Sequence, residues 1–123
     1  MRGSSCVQCA LDLMVDVYTV TDRFPKTELQ GLTAQLRRAS CVVVSKIAEG
    51  QGRLTYGEWR QQLSEARGSL HEVRAQVIAA HKLQFLELSV ADYLQKRARL
   101  VAVELHGLIE CVRRRIADRR PDP

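Results

Sequence analysis

Residues 55–82 read TYGEWRQQLSEARGSLHEVRAQVIAAHK, and this stretch decides the fold. It opens on Thr55-x-x-Glu58, the capping-box spacing in which a hydroxyl accepts from a backbone N–H and the glutamate reaches back. Trp59, Leu63, Ala66, Leu70, Val73, Val77 and Ala80 then recur at three- and four-residue intervals. That spacing lays one apolar stripe along a helix running to about Lys82. A helix with a single apolar stripe must bury it against other elements, so its neighbours decide the architecture.

Upstream, Gly50-Gln51-Gly52 supplies a left-handed cap and a short turn. It closes a second helix from about Lys26 to Glu49, apolar at Leu29, Leu32, Leu36, Ala39/Cys41, Val43/Val44 and Ile47. Pro25 suits the first turn of that helix, and Glu28 favours its positive end. Gly31 falls inside it at a cost of roughly 1 kcal/mol against alanine. Like Gly57, Gly68 and Gly107, it predicts close helix contact. Val7, Leu11, Met14 and Val17/Tyr18 mark a first helix that stops near Asp22, because the residue before Pro25 disfavours the α conformation. Downstream, Ser89-Val90-Ala91-Asp92 opens a fourth helix with Leu94, Ala98, Val101, Leu105, Leu108 and Val112 inward. The expectation is an all-α protein, an antiparallel up-and-down four-helix bundle forming a single domain over 1–123, frayed from about 117.

Composition agrees. In 123 residues, 46% are hydrophobic and 27% charged, the balance of a globular chain. Aromatic content of 5% argues against a β-sandwich. The apolar run 39–45 is too short to span a bilayer, and Asp12 and Asp16 interrupt any secretory signal, so a cytoplasmic protein with no membrane partner is expected. Net charge is +5, and only four of the 19 basic residues are lysine. Arginine's planar fork suits phosphate, although a GC-rich genome would produce the same bias. Cys6, Cys9, Cys41 and Cys111 read as free thiols; Cys6-x-x-Cys9 lacks the second ligand pair a structural zinc needs, and Cys41 lies in an apolar run that suggests core packing.

A further set of residues carries a resemblance. Phe24-Pro25 with Glu28, Gly31-Leu32, Gln35-Leu36-Arg37-Arg38-Ala39, Ile47-Ala48-Glu49-Gly50-x-Gly52-Arg53 and Ala66-x-Gly68-Ser69-Leu70-x-Glu72 stand in an order that resembles the 23S ribosomal RNA intervening-sequence (S23-type) proteins. That four-helix-bundle family is related to the accessory variability proteins of diversity-generating retroelements, and the likeness covers about Val7 to Arg113. It implies a ring-like homopentamer with a basic surface, non-enzymatic and associated with nucleic acid. Pro25, Gly31, Glu49, Gly50, Gly52, Gly68, Ser69 and Glu72 are its structural motif positions. Lys46 stands where the family usually has Asn, and Val43-Val44 where it often has Pro.

The residues point away from catalysis and cofactors. Glu49, Glu58, Glu65 and Glu72 each have a helical explanation, with Glu72 expected to pair with Arg37 or Arg38 across the seam. His71, His81 and His106 share no metal-ligand spacing. Gly50-Gln51-Gly52 ends a helix, whereas a phosphate loop precedes one. The candidate nucleic-acid contacts are Arg37, Arg38, Lys46 and Arg53, with Arg113, Arg114, Arg115, Arg119 and Arg120 at the end of the fourth helix. Expected partners are copies of the chain, nucleic acid (RNA rather than DNA) held by phosphate contacts, and a reverse transcriptase. The competing reading is a protein-interaction scaffold whose arginines meet an acidic partner.

Overall fold

The computed structural model describes residues 2–50 and 55–118, with side chains from residue 5 onward. Four helices carry the chain: α1 (Arg2–Thr21), α2 (Leu32–Gly50), α3 (Tyr56–Lys82) and α4 (Leu88–Asp118). Each packs on its chain neighbours and α1 closes against α4, while the backbones of the diagonal pairs stay farther apart among the described residues. Cross-helix bonds set the antiparallel register. Tyr18 meets Cys41, Lys46 meets Glu65, Arg74 meets Gln95 and Arg97 meets Asp16. The up-and-down bundle is therefore as expected.

The core is built from the inward stripes. On α3, Leu63, Ala66, Leu70, Val73, Val77 and Ala80 are buried, and on α4 Leu94, Ala98, Val101, Leu105, Leu108 and Val112. Trp59 is only half-buried. On α1 the buried line is Cys6, Ala10, Leu13 and Val17, one position off the predicted Val7, Leu11 and Met14. Apolar residues occupy two adjacent faces of α1, so the stripe's phase is ambiguous by a single residue, or 100° of rotation. Cys41 is half-buried rather than core, with its thiol 3.4 Å from the Tyr18 hydroxyl and 3.6 Å from the Met14 sulfur.

The start of α2 departs from the expectation. Pro25 begins a separate 3₁₀ turn (Lys26–Glu28), and α2 starts only at Leu32. Gly31 is thus a boundary residue, not an interior one. The Glu28 carboxylate accepts from the Leu32 N–H at 3.1 Å, filling the place of a cap, and a Cβ on Gly31 would come within 2.8 Å of that carboxylate. Leu29, in phase with the predicted stripe, is 60% exposed.

At the other end of α2, no glycine among the described residues has positive φ, so Gly50 is not a left-handed cap. Its hydrogen faces the Trp59 indole, and a Cβ there would run into the ring. Gly68 and Gly57 meet no such crowding: a Cβ on Gly68 finds nothing within 4 Å, and one on Gly57 only the Thr55 hydroxyl at 4.0 Å.

The remaining ends close by local chemistry. Thr55 Oγ1 accepts from Glu58 N at 3.1 Å, the first half of the capping box, while the Glu58 carboxylate accepts from the Thr55 hydroxyl at 3.1 Å. The α3 C-terminus makes paired bonds, Gln84 N to the His81 carbonyl and Phe85 N to the Ala80 carbonyl, both 2.9 Å. This Schellman turn places Gln84 at φ 66°, where glycine is usual. Phe85 then packs against Phe24, the rings tilted by 50° with centroids 5.6 Å apart, plugging that end between the two loops. Helix α4 continues to Asp118, just past the point where fraying was expected.

Candidate nucleic-acid interface

The predicted cations of α2 have different fates. Arg37 Nε donates to Thr21 Oγ1 at 2.9 Å, and its guanidinium lies 4.7 Å over the Tyr18 ring. It ties α2 to α1 and is half-buried. Lys46 lies 3.1 Å from Glu65 on α3 and 3.8 Å from Glu49 on its own helix. The Glu65 bond raises the Lys46 pKa, and the same bond lowers that of Glu65. The cationic partner expected for Glu49 is thus Lys46, whose charge is locally balanced. Arg38 is exposed and shares a shallow groove of about 410 Å³ with Gln35, Ser69, Glu72 and Gln76. The pairing of Glu72 with Arg37 or Arg38 is absent: no ion pair to Glu72 forms among the described residues, because Arg37 turns to α1.

At the end of α4, Arg113 Nη1 sits 3.1 Å from Glu110, a one-turn pair. Arg114 and Arg115 are exposed and unpartnered among the described residues. Gly52, Arg53, Arg119 and Arg120 lie outside the described residues.

The Cys6-x-x-Cys9 pair is chemically quiet. Cys6 is fully buried, and burial, aided by Glu104 and Cys9, pushes its thiol up to about 12. Burial raises Cys9 as well. Metal binding and thiol exchange both need thiolate, which this environment disfavours.

Sequence reasoning missed Arg60, Arg67, Arg74 and Arg99. The first three recur every seven residues along α3, and Arg99 stands fourteen residues before the expected Arg113 on α4, with His106 midway. All are exposed except the half-buried Arg74. Spacing was the available signal; the consecutive arginines 113–115 drew attention from it.

These observations define a basic, antiparallel four-helix bundle. The family of 23S rRNA-intervening sequence proteins matches residues 2–107, and the chain belongs to that family. Among solved structures it is similar to an S23 ribosomal protein family member of unknown function from Bacteroides thetaiotaomicron, with a TM-score of 0.81 at 11% identity. The likeness covers 89% of this chain and 99% of that one, and at such identity it speaks for the fold alone. No curated protein matches the chain.

Proposed function

We propose that this chain is a non-enzymatic, homo-oligomeric bundle that binds RNA or an RNA–DNA hybrid through phosphate contacts, as an accessory factor to a retroelement reverse transcriptase. One observation carries the reading. Among the described residues only Arg97 and Arg113 are arginines in ion pairs, so most guanidinium groups are left for an external anion. Membership in a family named for an rRNA intervening sequence supports nucleic acid as that anion. The motif resemblance to retroelement accessory proteins supports the enzyme it serves.

Binding to structured RNA at about 50 mM salt, weakening steeply toward 200 mM, is the expected result. Absence of binding at the lower salt overturns the reading.

Exposed apolar residues support assembly. Leu100 and Val103 on the outer side of α4 are 53% and 66% exposed. The pentamer implied by the family is testable by sedimentation, where a monomer at micromolar concentration would exclude it. The same residues favour the alternative of a protein-binding scaffold. Capture of partners before and after nuclease treatment separates the two: partners that vanish are held through nucleic acid, and partners that persist mark the scaffold.

A further inference from the structure

The seven-residue spacing of arginines acquires meaning from the register of α3 against α4. Arg74 Nε donates to Gln95 Oε1 at 3.3 Å, and Gln95 Nε2 donates back to the Arg74 carbonyl at 3.0 Å. This double link shows that the flank of α3 bearing Arg74 is the one turned to α4. Arg67 and Arg60 lie seven and fourteen residues back along the same flank, since a straight helix drifts only about 20° per seven residues. On α4, Arg99 stands one turn after Gln95, and His106 and Arg113 follow at seven-residue intervals. Two rows thus run side by side along one seam, each about 21 Å long at 1.5 Å per residue.

The seam is poor in carboxylates. Glu110 is the one acid bonded to a row member, at Arg113. On α3, Glu65 turns to Lys46 of α2 and Glu72 lines the α2–α3 groove, both on the opposite flank. Asp92, one interval before Arg99, ends the α4 row at the loop side. Arg60, Arg67 and Arg99 have no hydrogen bond or ion pair among the described residues.

The seam is also poor in large rings. No Phe, Tyr or Trp occurs between Arg60 and Arg74 or between Arg99 and Arg113, where His71 and His106 are the only rings. Sequence-tolerant binding of a single strand draws on aromatic platforms for base stacking. Double-stranded nucleic acid is instead held by its backbone, and it offers a charge for every ~1.7 Å of axis.

We infer that the α3–α4 seam is a binding site for the backbone of a nucleic-acid duplex, with Arg60, Arg67, Arg74, Arg99 and Arg113 as its phosphate contacts. This rests on the nucleic-acid reading above and places it on a flank that shares only Arg113 with the contacts expected from the sequence.

The test titrates the full chain with an RNA duplex of about 20 base pairs and with a single strand of equal length, across a salt series. Three proteins are compared: the natural chain, a seam variant (Arg60→Gln, Arg67→Gln, Arg99→Gln) and a control (Arg38→Gln, Arg114→Gln, Arg115→Gln). All six positions are exposed, and circular dichroism verifies folding. For the natural chain, five contacts predict a logarithmic salt slope near −4.5, on the order of 0.9 per phosphate. The seam variant should lose about 2.7 of that slope and at least roughly tenfold in affinity, with the control within about threefold. Lysine at the three seam positions should keep the slope.

A seam variant that binds as the natural chain does, while the control fails, overturns the site and leaves the proposed function standing. A single strand bound as tightly as the duplex overturns the assignment to duplex. A natural chain that binds neither probe at about 50 mM salt overturns both proposals together.

Discussion

The edge of α3 that meets α2 carries Glu65 and Glu72, whereas the edge that meets α4 carries Arg60, Arg67 and Arg74. The same helix, with one buried stripe between these edges, therefore sorts its charges by neighbour. On the α2 side an acid finds a base at 3.1 Å, and the charges cancel. On the α4 side the bases find one amide, Gln95, and keep their charge. Balanced seams hold helices in register; an unbalanced one leaves a field that reaches beyond the molecule. Net charge alone, at +5, does not reveal this division.

Substitutions can break or sharpen the contrast. The largest effect lies beneath both edges, at fully buried Leu63. Leu63→Ala should cost about 2–5 kcal/mol in urea unfolding, with the salt slope of duplex binding unchanged while the protein is folded. A changed slope would mean that the core, rather than surface charge, shapes the site. Next comes the lower end of the α2 edge. Gly50→Ala forces the Trp59 ring aside and should cost about 1–3 kcal/mol, read from the same measurement.

Gln84 lies beyond the other end of α3, where the turn leads into α4. Gln84→Gly relieves a left-handed residue and should stabilise by about 1 kcal/mol, raising the melting temperature. The smallest effect belongs to Lys46→Ala, which removes a partly exposed pair from the balanced seam. Its pH dependence has a defined sign. The lowered Glu65 pKa adds stability above the ordinary carboxylate range that fades as pH falls through the depressed value. The raised Lys46 pKa adds stability below the ordinary lysine value that fades as pH climbs through the raised one. The difference between natural chain and variant should therefore peak near neutral pH and vanish at both extremes. A flat profile would show that the pair contributes nothing.

How far the sequence reveals this molecule differs by element. Helices α3 and α4 each have one row of branched or large apolar residues bordered by charge, so their stripes are legible almost residue by residue. Helix α1 is not, because Cys6 and Ala10 form its core line while larger Val7, Leu11 and Met14 lie beside it. The start of α2 misleads because Pro25, Glu28 and Leu29 fit a helical first turn locally. The carboxylate of Glu28 then caps a helix beginning four residues later, a contact that composition does not show. The candidate site was legible only in kind. Arginine excess was plain, yet which cationic side chains remain free depends on partners from other helices: Thr21 for Arg37, Glu65 for Lys46.

The chain's one tryptophan lies against Gly50 where α2 meets α3, and its indole nitrogen is buried without a hydrogen-bond partner among the described residues. It is thus a built-in optical probe of that corner. Its emission should sit toward the blue in the closed bundle and move to the red when the corner opens, giving an indole signal confined to one end of the rod.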